Sequence, residues 1–155
     1  MDFRVHIGAS VLETLTTGMY TTSLDAAREY VQNAADSIRT GERLGVLGRG
    51  EGRVDIRIDP TDRAISFRDN GIGVPSSEVP RLLLGIGVSS KEPTRDAGFR
   101  GIGRLAGIAY CDTIVFRTSC EGEDVASTVT IDCRAIRSMV FPTKEQQGQL
   151  AEVFA

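Results

Sequence analysis

The chain has 155 residues, of which 41% are apolar and 25% charged, and its net charge is −3. This is enough for one domain with a real core; no apolar run is long enough for a membrane span, and the charge balance does not favour nucleic acid. Cys111, Cys120 and Cys133 are widely spaced and His6 is the only histidine, which argues against a zinc site and a serine-type triad.

The N-terminus lacks the basic-then-apolar pattern of a signal peptide, so a cytoplasmic protein is expected. Residues 9–19 read as a short helix ending at Gly18. Thr22 and Ser23 are cap candidates for a second helix. Its apolar positions Leu24, Ala27, Val31, Ala34, Ala35 and Ile38 recur at helical spacing, and Gly41 stands where a C-cap glycine belongs. A glycine-rich loop, 41–53, leads to two alternating runs, Val54–Ile58 and Ala64–Arg68. The turn Asp59-Pro60-Thr61-Asp62 joins them into a hairpin with Asp69 at its exit.

A short helix is expected over Ser77–Leu84, followed by a long mobile loop at 85–100 and a helix over Ile102–Ala109. Strands are expected at Thr113–Thr118 and Val125–Ile131, and one or two helices at 134–155, broken at Pro142. There is no strict β-α-β alternation. The order predicts an α/β (α+β) two-layer sandwich, with a mixed, mostly antiparallel sheet and helices on one face.

Three segments carry chemistry. In the first, Glu29, Asn33 and Asp36 fall within an arc of about 60° on the helix. Alone this is the solvated face of an amphipathic helix. Facing a cleft, Glu29 would serve as base for a water, and the Asn33 amide oxygen would suit Mg²⁺, which takes oxygen ligands and keeps several waters. Asp36 would pair with an arginine or cap a neighbouring loop. In the second, Asp69-Asn70-Gly71-Ile72-Gly73 is a turn signal. At a strand end, however, the Asp69 carboxylate can accept a hydrogen bond from an adenine 6-amino group, and Gly71 and Gly73 let the backbone pass close to the base.

In the third, Gly98-Phe99-Arg100-Gly101-Ile102-Gly103 opens onto a helix, where backbone amides suit phosphates, with Ser90 and Lys91 on the preceding loop. Residues 101–106 also fit G-x-G-x-x-A. The upstream stretch Lys91–Ala97 is no apolar strand, so the dinucleotide reading lacks its context. No Walker-type loop is present.

Taken in order, the three segments resemble the GHKL ATPase superfamily of gyrase B, heat-shock protein 90, sensor histidine kinases and MutL, over about residues 8–131. Glu29-x-x-x-Asn33-Ala34-x-Asp36 looks like its N box, Asp69-x-Gly71-x-Gly73 its adenine box, and residues 98–103 its second glycine box. The opening residues 11–20 look closest to the chaperone-like and MutL-like branches.

The resemblance implies a Bergerat fold binding ATP or ADP with Mg²⁺ under a lid at 85–100. Glu29 would orient or deprotonate the attacking water, Asn33 would hold Mg²⁺, and Asp69 with Gly71 and Gly73 would read adenine. Asp36, Ser90, Lys91, Gly98, Arg100, Gly101 and Gly103 complete the expected nucleotide site. The histidine kinases typically lack the glutamate at the position of Glu29, so an ATP hydrolase is expected, weak as an isolated domain. The alternatives are a nucleotide-sensing module without turnover and a histidine or serine kinase.

Arg104 stands where several branches have lysine, and the family's late threonine has three candidates, Thr118, Thr128 and Thr130. Hydrolysing branches commonly borrow a basic residue from a following domain. The chain is therefore expected to be a single ATP-binding domain, the N-terminal part of a longer and possibly homodimeric protein. Its client is not legible.

Overall fold

A computed structural model describes residues 22–84 and 103–140. The order is α1 (Ser23–Leu44), β1 (Val54–Asp59), β2 (Ala64–Asp69), a π-helical turn (Pro80–Leu84), a 3-10 helix (Gly103–Ala109), β3 (Thr113–Thr118), β4 (Ser127–Asp132) and α2 (Cys133–Val140). The expected helix at 9–19, the lid at 85–100 and the tail beyond residue 140 lie outside the described residues.

Thr22 starts α1 with a capping box. Its hydroxyl accepts from the Asp25 amide at 3.3 Å, and the Asp25 carboxylate accepts from the Thr22 amide at 3.0 Å. The expected stop at Gly41 is wrong by one turn: α1 runs on to Leu44, and Gly45 ends it at φ +74°. Gly41 is instead buried inside the helix because the loop after β2 crosses it there. A Cβ on Gly41 would lie 3.2 Å from Ile72 Cγ2. The helix buries Ala26, Ala34 and Gly41, small residues that allow close approach, whereas Leu24, read as part of the apolar stripe, is exposed.

The strands stand within two residues of their expected bounds. Among the described residues they form two separate two-stranded antiparallel sheets, β1–β2 and β3–β4. In the first, Ile56 pairs with Phe67 and Ile58 with Ile65. Phe67 meets the Tyr30 ring of α1 at 5.4 Å between centroids. In the second, Ile114 pairs with Ile131 and Phe116 with Val129. Helices packed against antiparallel strands give the α/β class that the sequence predicts.

Leu105 and Ile108 of the 3-10 helix, Ile114, Ile131 and Cys133 form the buried core, flanked by Cys111, Phe116, Val129 and Ile136. The expected helix at 102–109 is therefore present, in 3-10 form. That at 77–84 is confined to the π-helical turn. α2 is latched to the core by arginines. Arg137 donates to the Ile108 and Cys111 carbonyls and to Asp112, and Arg134 donates to Asp112 at 2.7 Å. Arg134, then Arg137, holds the Asp112 carboxyl below its ordinary range.

Candidate functional site

The site is organised by one stripe of α1. Glu29, Asn33, Ser37 and Gly41 follow at four-residue spacing and so share a face. At its N-terminal end Glu29 lies so close to Gly103 that any side-chain carbon there would overlap Glu29 Oε2. At its other end Ser37 lies as close to Gly71, and Gly41 is packed tightly against Ile72. The first and third motif segments thus meet at one end of the stripe, and the first and second at the other. Asn33 stands between them, half-buried, with no side-chain hydrogen bond among the described residues.

The Asp69 segment is shaped as a tight turn. Asp69 Oδ1 accepts the Gly71 amide at 3.0 Å, and Oδ2 has no hydrogen bond among the described residues. Asn70 pins the turn to the loop before β1: its side chain accepts from the Arg53 amide at 2.7 Å and donates to the Glu51 carbonyl at 2.9 Å. Gly73 adopts φ +67°, and any Cβ there would overlap the Ser119 carbonyl. Only glycine fits both restrictions.

The same loop ties the two sheets together. The Val74 amide donates to Thr118 Oγ1 at 2.8 Å, and Ser76 donates through its amide and hydroxyl to the Glu123 carboxylate. Of the three candidate threonines, Thr118 is therefore the one in contact with the Asp69–Gly73 segment. Thr128 and Thr130 alternate onto the exposed face of β4.

On its own helix Asp36 accepts from Gln32 at 3.1 Å and pairs with Arg39. Pairing with an arginine was one of its two expected roles. Ser37, which sequence reasoning missed, also lies on this face, against Gly71; its signal was the four-residue spacing from Glu29 and Asn33. Ser90, Lys91, Gly98, Arg100 and Gly101 lie outside the described residues. Burial lowers the pKa of the Arg104 guanidinium, one residue past Gly103.

The arrangement offers a carboxylate against a glycine backbone, an amide one helical turn along, and a second carboxylate at a strand exit. Among the described residues no three His, Cys, Asp or Glu side chains cluster as metal ligands, and no helix is long and apolar enough to cross a membrane.

The chain is 28% identical to the chaperone protein HtpG of Psychrobacter cryohalolentis over 133 residues, covering 74% of the chain and 20% of the relative. The same values describe its match to HtpG of Psychrobacter arcticus. With HtpG of Aliarcobacter butzleri it shares 29% identity over 102 residues, 61% of the chain and 15% of the relative. The chain thus spans about one fifth or less of the length of these curated relatives. Residues 20–152 match the model of the histidine kinase-, DNA gyrase B- and HSP90-like ATPases, and the chain belongs to that family, as an ATP-binding ATPase domain.

Proposed function

We propose that this domain binds Mg²⁺-ATP and hydrolyses it slowly, driving a conformational cycle in a larger, dimeric, cytoplasmic protein related to the HSP90-like chaperones. The observation that carries the reading is the α1 stripe, which holds Glu29 against Gly103 and Ser37 against Gly71, with Asn33 between. ATP lies along this stripe, with its base at Asp69 and its phosphates at the glycine segment ending in Gly103.

Asp69 Oδ2 accepts the adenine 6-amino group while Oδ1 stays with the Gly71 amide. Guanine presents a carbonyl oxygen at that place, and two facing acceptors leave a buried group unpaired at about 1–3 kcal/mol. Thr118, already bonded to the Val74 amide, braces the loop beside the base. Glu29 takes the proton of the attacking water. Asn33 fits a Mg²⁺ ligand: a half-buried amide oxygen, one turn from Glu29 and not committed to another bond among the described residues. When bound, Mg²⁺ supplies charge neutralisation on the phosphate oxygens.

The test is Glu29→Ala in the intact protein. ATP affinity should stay within about threefold, while single-turnover release of phosphate falls by about 10²-fold or more. Undiminished release with intact binding removes Glu29 as the base. ATP bound by the wild type without any phosphate release favours a nucleotide-sensing module, and label appearing on protein favours a kinase.

A further inference from the structure

Tyr30 follows Glu29 directly, and its hydroxyl does something unusual to the 3-10 helix. It accepts the Gly107 amide at 3.0 Å and donates to the Arg104 carbonyl at 3.2 Å. In a 3-10 helix the Gly107 amide would bond to the Arg104 carbonyl, three residues back. The phenol, one donor and one acceptor on a single oxygen, bridges that pair.

The insertion is fitted. A Cβ on Gly107 would stand 2.6 Å from Tyr30 Oη, so the glycine makes room for the hydroxyl. The Tyr30 ring is fixed separately, against Phe67 of β2. Among the described residues these two bonds are the only side-chain hydrogen bonds from α1 to the 3-10 helix. They sit on the residue next to Glu29 and on the helix that begins at Gly103, the two groups already in contact.

We propose that Tyr30 is a positioning residue: its hydroxyl sets Gly103 against Glu29 and so sets the grip on the phosphates of the bound nucleotide. This rests on the ATP reading above. Without the hydroxyl the Arg104 carbonyl and Gly107 amide lose their tie to α1, the 3-10 segment shifts, and Gly103 moves from Glu29. The adenine end, built on Asp69 and Gly73, is left as it was.

The experiment compares ADP and adenosine binding by calorimetry in the intact wild-type protein and in Tyr30→Phe, which keeps the ring on Phe67. ADP affinity should fall about tenfold and adenosine affinity stay within about twofold. Equal weakening of both ligands makes Tyr30 merely structural and overturns the proposal, as does unchanged ADP binding. Should the variant not fold, amide exchange at Gly107 in the wild type decides: ADP slows it and adenosine does not, whereas equal response to both ligands, or to neither, overturns it. A wild type that binds neither ligand removes the nucleotide reading itself, an outcome distinct from failure at Tyr30 alone.

Discussion

Gly73 and Gly45 have nearly the same backbone angle and opposite surroundings. Gly45 sits at φ +74° with nothing within 4 Å of a Cβ, while Gly73 sits at φ +67° with the Ser119 carbonyl where a Cβ would go. Gly45→Ala therefore meets only the left-handed penalty, about 1 kcal/mol. Gly73→Ala adds a clash with backbone that cannot swing aside, for a loss of at least about 2 kcal/mol and of the loop's contact with Thr118. Urea unfolding of the two variants side by side measures the difference; equal losses would mean that the 71–74 loop can move off β3. The cysteines show how strongly environment acts on one residue type. Burial, with Cys111 close by, pushes the Cys133 thiol up to about 11, and Cys111 is also raised, chiefly by burial. Both are core residues in effect, in line with their wide spacing in the sequence.

At the scale of elements, α2 is held to the 3-10 helix and to β3 through one carboxylate. Asp112 accepts from Arg134 and Arg137 while Arg137 also caps the Ile108 and Cys111 carbonyls. The Asp112 pKa is lowered in the folded protein, so the unfolded chain binds its proton more readily. Its contribution is present above the ordinary aspartate pKa and is lost as pH falls through the lower folded value. Asp112→Asn should therefore melt below wild type at pH 7, and the gap should close on acidification below about pH 4. A gap that persisted in acid would assign the loss to packing. The latch was not legible in the sequence because Asp112 lies 22 and 25 residues before its two arginines and the three belong to no motif. What could be read was whatever depends on local pattern: the cap at Thr22, the alternation of the four strands, the turn before Ala64, and the three motif segments in order. What could not be read depends on contact between distant elements. Gly41 looked like a stop because glycine usually is one, and only the crossing of Ile72 explains it inside a helix. The 3-10 helix makes two hydrogen bonds with a hydroxyl on α1, and Ser37 becomes visible only once Gly71 is laid across it.

Across the whole molecule, the described residues form two antiparallel sheets with little between them except α1 and the loop after β2. The apolar face of β1–β2 extends past its helix cover: Ile58 is 71% exposed and Ile56 53%. The two halves meet at Tyr30, at Glu29 with Gly103, and at Val74 with Thr118. A nucleotide reaching from Asp69 to Gly103 would touch β2, α1 and the 3-10 helix at once, adding a further connection that exists only in the folded state. Ligand linkage gives its size: ADP at about a hundred times its Kd adds about 2.7 kcal/mol, or roughly 5–10 °C in Tm for a chain of this length. GDP at the same concentration should add nothing, because its carbonyl would face Asp69. Asp69→Asn should lose the ADP shift while keeping the turn, since the amide oxygen can still accept from Gly71. Thermal melts with each nucleotide test all three statements together. An equal rise with ADP and GDP would show that Asp69 does not read the base. A shift that survived in Asp69→Asn would place the adenine elsewhere, leaving the contact of Glu29 with Gly103 as the part of the site still standing.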